Sequence, residues 1–184
     1  MFFLCHQAFQ AQDLFAVAKG GISSYGSLYI GPLGGGGGDT HWKSGPIFSA
    51  GARLRTSDGF AVDGVVEYST HHWDNSWLPP VNSPRNSILE LSGIGRSSFR
   101  TIGPCHFCFL YGLGLSYQQK DELIREYNGT QYVTPKNHDL TASLILGVGL
   151  EVRVPAGLEI SLEGNIRGRR YATPVAEFAI AYHI

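Results

Sequence analysis

Long apolar runs are missing from this chain of 184 residues. None approaches the roughly 18 continuous apolar residues of a membrane-crossing helix, so no helix within these residues is long and apolar enough to cross a membrane. Sulfur is scarce as well, with three cysteines and one methionine. Cys105 and Cys108 imitate a redox or zinc pair, but three positions along an extended strand turn them to opposite faces. Cys5 is the one other cysteine, so four convergent metal ligands are not available, and a straight strand also opposes a disulfide. There is no excess of either charge: 14 basic and 15 acidic residues leave a formal net charge of -1, which gives no footing for nucleic acid. Helical periodicity is confined to Lys120–Tyr127 (KDELIREY), inside what reads as a connection. No metal and no cofactor is expected.

What the chain does have is alternation. From Leu140 to Val152 one row reads Leu140, Ala142, Leu144, Leu146, Val148, Leu150, Val152. The other reads Thr141, Ser143, Ile145, Gly147, Gly149, Glu151, Arg153. The pattern returns with Leu158, Ile160, Leu162, Gly164 and Ile166 against Glu159, Ser161, Glu163, Asn165 and Arg167. Successive side chains of a strand point to opposite faces, so each segment has one apolar and one charged face. These strands exceed the usual five or six residues, and about ten tilted residues cross a bilayer. A hydrophobic content of 43% is enough for such a barrel, because only every second residue meets lipid. Many of the 24 glycines sit inside the alternating segments, where a narrow lumen uses a missing side chain to admit a long one from across.

Eight strands are expected, over Leu14–Gly21, Gly45–Thr56, Phe60–Thr70, Asn86–Thr101, His106–Gln118, Asp139–Val154, Leu158–Arg169 and Val175–Ile184. Their connections alternate. Ser57-Asp58-Gly59, Ile102-Gly103-Pro104 and Pro155-Ala156-Gly157 are short, whereas Ile22–Ser44, His71–Arg85 and Gln119–His138 are long. Only Arg170–Pro174 is short where the rule asks for length. Short turns at one end and long loops at the other mark outer-membrane barrels. Three-residue hairpins favour a closing glycine, and counting back from Gly59 and Gly157 sets Arg53 opposite Asp63 and Arg153 opposite Glu159. A wrong register has no reason to bring opposite charges together twice. In the first strand, Lys19 is assigned to the lumen, which takes Phe15 and Val17 inward with it.

The polar row carries both signs: Arg53, Asp63, Glu67, Glu90, Arg96, Glu151, Arg153, Glu159, Glu163, Arg167 and Glu177. These are expected to pair across a small lumen, since burying them unpaired is costly. The apolar row carries Phe99, Phe107, Tyr117, Phe178 and Tyr182 near its ends, as lipid-interface girdles do. Ala176, Phe178, Ile180, Tyr182 and Ile184 continue it to the last residue. With this ending and its hairpins, the stretch from Asp13 to Ile184 resembles the small bacterial outer-membrane barrels typified by the OmpA transmembrane domain and OmpX. The resemblance is architectural, and it implies several expectations. The fold would be all-β, an eight-stranded antiparallel up-and-down transmembrane barrel over residues 13–184, with both termini periplasmic. The location would be the outer membrane, among its lipids and lipopolysaccharide. The last strand would be read by the barrel-assembly machinery, although Ile184 replaces the family's final aromatic. Residues 1–12 read either as a truncated signal-peptide remnant or as a disordered terminus.

Thr70-His71-His72-Trp73-Asp74 is the most reactive cluster on paper. Neighbouring side chains diverge in a strand, so His71 and His72 are poorly placed to share a metal. A catalytic role needs a serine within hydrogen-bond reach, with Ser69 and Ser76 nearest in sequence. The plainer reading is an interfacial loop rich in His and Trp. Gly34–Gly38 lacks the Lys-Ser/Thr of a phosphate loop, and Asn128-Gly129-Thr130, a glycosylation sequon, reads as a turn. Trp42, Trp73, Trp77, Tyr127 and Tyr132 cluster in the long loops, where they meet headgroups or a surface partner. The expected role is structural, adhesive or surface-interacting, and neither a general pore nor an enzyme. Two alternatives stay open: a lipid-modifying barrel enzyme working through His71 or His72, and a soluble lipocalin-like binder of a small hydrophobic ligand.

Overall fold

The computed structural model describes residues 13–24, 43–57, 59–73, 80–168 and 172–184. The expected signal remnant (1–12), the Gly34–Gly38 run, Trp42, Asp58, Asp74, Ser76 and Trp77 lie outside them. Ten strands are described: β1 Asp13–Ser23, β2 Gly45–Ser57, β3 Phe60–His72, β4 Arg85–Ile102, β5 Cys105–Lys120, β6 Leu123–Tyr127, β7 Thr130–Thr134, β8 Asn137–Val154, β9 Leu158–Gly168 and β10 Ala172–His183. Eight of them close a barrel in the order β1-β10-β9-β8-β5-β4-β3-β2, each antiparallel to its neighbours. Closure gives every barrel strand two partners and leaves no edge.

The two rows divide as the alternation requires. Leu113, Leu162, Leu140 and Leu91 are more than 60% exposed on the outside, whereas Arg53, Asp63, Glu90, Glu163 and Arg167 are at most 1% exposed inside. A soluble barrel enclosing an apolar ligand needs the reverse arrangement, so the lipocalin-like alternative is overturned. Arg53 pairs with Asp63 and Arg153 with Glu159, in the expected register. Phe15, Val17 and Lys19 are buried. Inward facing suits Phe15, because the Arg55 guanidinium lies 4.9 Å above its ring.

Three local expectations are corrected. Lys120–Tyr127 is not helical: Leu123–Tyr127 is β6, which pairs with β7 in a separate hairpin beyond the barrel. Asn128 and Gly129 between them have φ of 51° and 76°, the left-handed pair that a tight two-residue hairpin turn demands. The Ile102-Gly103-Pro104 turn is one residue tighter, because Ile102 already pairs with Cys105. Glycine has two uses here, of which the sequence reading captured one. Gly114 makes room: a Cβ there would lie 2.9 Å from Glu90 Cδ. At Gly147 it would come 2.7 Å from the Asn165 Cα, so that glycine permits close backbone approach between strands.

Candidate functional site

Among the described residues, charged and polar side chains are most concentrated in the lumen. Toward the short-turn end, Arg53 holds Asp63 in a two-pronged grip, Nε to Oδ1 at 2.7 Å and Nη2 to Oδ2 at 3.1 Å. Its Nη1 also donates to Glu151 (3.0 Å) and Glu159 (2.8 Å). Arg96 donates to Glu163 at 2.6 Å and to Glu151 at 3.3 Å. Lys19 lies between Glu163 (2.9 Å) and Asp63 (3.2 Å). Arg55 joins Glu151 at 3.3 Å and also contacts Glu159, and Arg153 closes the rim on Glu151 at 3.1 Å.

A second cluster sits nearer the long-loop end. Arg167 contacts Glu67, donates to Glu90 at 2.9 Å and reaches Glu177 at 3.4 Å. Asn165 accepts from Arg167 Nε at 3.2 Å, and Ser116 donates to Glu90. In the ring order, β9 and β3 are four strands apart, as are β2 and β8, so Arg167–Glu67 and Arg53–Glu151 span the barrel between opposite walls. Charges this deep are retained only when paired and hydrogen-bonded, and the two forks supply both. On the wall of β3, β4, β5 and β8 an apolar patch of Val65, Ile94, Leu110 and Ile145 lies between the clusters. A charge-only reading of the lumen misses this patch. The alternation places Lys19 inward without naming its partners Glu163 and Asp63, and Arg55, beside the turn, joins the cluster from outside the expected charge row.

His71 is corrected most. It belongs to β3 rather than a loop, is fully buried and faces the lumen. Its Nε2 lies 2.8 Å from Ser23 Oγ, so a serine within reach comes from β1, while Ser76 lies outside the described residues. His72 is exposed on the other face, which keeps the two histidines apart. Nearby, Gln118 Nε2 donates to Asn86 Oδ1 at 2.9 Å, completing an uncharged polar layer under the mouth.

Outside, Phe99, Tyr117, Phe178 and Tyr182 are exposed and Phe107 is half-buried. Phe99 stacks on Phe109 at 4.3 Å near the short-turn rim, and Tyr117 pairs with His138 at 2.9 Å toward the other end. Phe178 is a correction. It pairs with Gly20 and Leu162 midway along β10, in the centre of the apolar belt rather than at a girdle. Cys105 and Cys108 are free thiols, the first half-buried and the second buried.

The crystal structure of Ail, the attachment invasion locus protein of Yersinia pestis, matches this architecture over 95% of this chain and 97% of its own, with 12% identity and a TM-score of 0.51. This chain has the fold of the small outer-membrane barrels. Neisserial surface protein A (NspA) is 12% identical, with 94% and 97% of the chains covered and a TM-score of 0.45. The N-terminal barrel domain of Pseudomonas aeruginosa OprF is 11% identical, with 95% and 100% covered and again a TM-score of 0.45. No protein-family model matches the chain, and neither does any curated protein. The outer-membrane location has its own support in the exposed apolar belt and in the short turns opposite long loops.

Proposed function

We propose that this outer-membrane barrel does not conduct and acts in surface interaction through its long-loop end. The observation that carries the reading is the filled lumen. Arg53, Arg96 and Arg167 reach across it to carboxylates that are themselves almost fully buried, and an eight-stranded lumen has room only for side chains. At the long-loop end, by contrast, the β6–β7 hairpin projects beyond the barrel with Tyr127, Tyr132 and Val133 more than half exposed. The Pro80–Asn82 segment braces it: Val81 donates to the Ile124 carbonyl at 2.8 Å, and Asn82 Oδ1 accepts from Ile124 N at 3.0 Å. A braced, tyrosine-bearing projection suits protein or glycan contact. The attachment role in Ail's name is consistent with this reading, as a property of that protein.

The test displays the chain on a non-adherent bacterium and compares it with a form in which residues 122–135 are replaced by a short Gly-Ser turn. Adhesion to host-cell matrix is expected to drop in the trimmed form, while both forms stay heat-modifiable and neither conducts in planar bilayers. Steady conductance without any loop-dependent adhesion would overturn the proposal.

One observation favours a second reading, lipid hydrolysis at the mouth: the 2.8 Å contact between Ser23 and His71. Both side chains face the lumen and are buried, whereas lipid lies on the opposite face of the wall. His71→Ala is therefore expected to leave lipid turnover at background, and a lipase activity lost in that variant would reinstate the enzyme.

A further inference from the structure

The outer wall at the short-turn end holds a second feature, independent of the loops. Strand β4 bulges there: Ser98 pairs with Cys108 and Arg100 with Phe107, leaving Phe99 without a partner. A bulge re-aims the side chains beyond it. Arg100 is thereby shifted onto the outward row, opposite Phe107 and beside the Phe99–Phe109 stack, and it is exposed. A cation at the edge of a lipid-facing aromatic cluster is out of place in hydrocarbon and well placed against a phosphate.

The wall above it is hollowed. Gly164 stands between Val148 of β8 and Ala176 of β10, and an added Cβ there would meet nothing within 4 Å. The missing side chains open an apolar furrow of 720 Å³ toward Phe109, Tyr111 and Ile166. It adjoins a second apolar hollow of 500 Å³, with which it shares Val148 and Gly164. That hollow is also lined by Phe99 and by Phe107, the strand partner of Arg100, so its lower end lies beside the outward arginine. An acyl-sized apolar track thus ends beside Arg100 at headgroup level.

We propose that this track seats one phospholipid of the periplasmic leaflet, with an acyl chain over Gly164 and its phosphate on Arg100. The two apolar hollows and the bulge carry the assignment together. An apolar furrow alone would accept any lipid tail, and an exposed arginine alone any anion. Their continuity selects a molecule that is both.

Native mass spectrometry of the refolded full chain in mild detergent tests it, with dioleoyl phosphatidylglycerol, dioleoylglycerol and inorganic phosphate as probes. The phospholipid is expected to remain as one bound copy while the uncharged diglyceride is lost. Arg100→Gln should weaken retention about fivefold, the worth of one cation near a phosphate surface, and Arg100→Lys should restore most of it. Gly164→Leu should fill the furrow and weaken retention at least as much, with Ala176→Leu as the alternative filling if that variant folds poorly. Cold-SDS mobility checks every variant for an intact barrel. Equal retention of the diglyceride, or retention unchanged in the Arg100→Gln and furrow-filling variants, would overturn the site. Inorganic phosphate held as firmly as the phospholipid would mean an anion pocket without a lipid, and would overturn it too.

Discussion

Replacing Asp63 by Asn removes the carboxylate on which three buried cations converge. Its oxygens lie 2.7 and 3.1 Å from Arg53, 3.2 Å from Lys19 and 3.4 Å from Arg96, and its side chain is fully buried. The asparagine amide keeps one acceptor but sets a donor against the guanidinium fork. Breaking a buried pair by removing one partner costs about 3–5 kcal/mol. With three cations affected, Asp63→Asn belongs toward the upper half of that range. Arg53→Met should cost a similar amount, since Glu151 and Glu159 lose a partner as well as Asp63. The double variant leaves Glu151 and Glu159 with Arg55, Arg96 and Arg153, so its cost should fall short of the sum by about 1–3 kcal/mol. The assay is urea unfolding in detergent micelles, read as the fraction that migrates as folded barrel on unheated gels. Single costs below about 1 kcal/mol, together with an additive double variant, would refute the reasoning. The lumen pairs would then behave as solvated surface ion pairs.

The second cluster gives a parallel case. Arg167→Met, which leaves Glu67, Glu90 and Glu177 without their shared guanidinium, should lower the urea midpoint by the equivalent of about 3–5 kcal/mol. Glycine identity can be checked on both faces by the same unfolding curve. Gly114→Ala pushes a methyl against Ser143 Oγ and Glu90 and should cost about 1–3 kcal/mol, whereas Gly64→Ala enters open space and should be neutral or slightly stabilising. Leu113→Arg, at an outward position midway along β5 that is 69% exposed, should cost about 2–4 kcal/mol in lipid vesicles. A neutral result there would mean that this face meets water.

The barrel was legible because the alternation is strict and the turns are short. The turns ending in Gly59 and Gly157 fix a register, and one register fixes which charges meet, as Arg53 with Asp63 and Arg153 with Glu159. The first turn is one residue tighter than expected, since Ser57 pairs with Phe60, and a shift between Arg55 and Ser57 keeps the register. Contacts across the lumen follow from closure instead. Arg167 with Glu67, or Lys19 with Glu163, join residues 100 and 144 positions apart, and nothing local in either strand marks the other. His71 lies on the strand and not in the expected loop because β3 continues two residues beyond Thr70. Its serine arrives from β1 only once β2 lies between them. The bulge at Phe99 was equally hidden, since it appears only when β4 and β5 are paired and their registers disagree. The β6–β7 hairpin had its turn signal in Asn128-Gly129, and the helical pattern of KDELIREY obscured the strand beside it.

The most direct test of a closed membrane barrel with charges inside and lipid outside is electrophoresis of the refolded chain in SDS, unheated against boiled. The account predicts a compact species that resists cold SDS and shifts on heating, obtained only when detergent or lipid is present during folding. A chain that folds in plain buffer and migrates identically before and after boiling would contradict it.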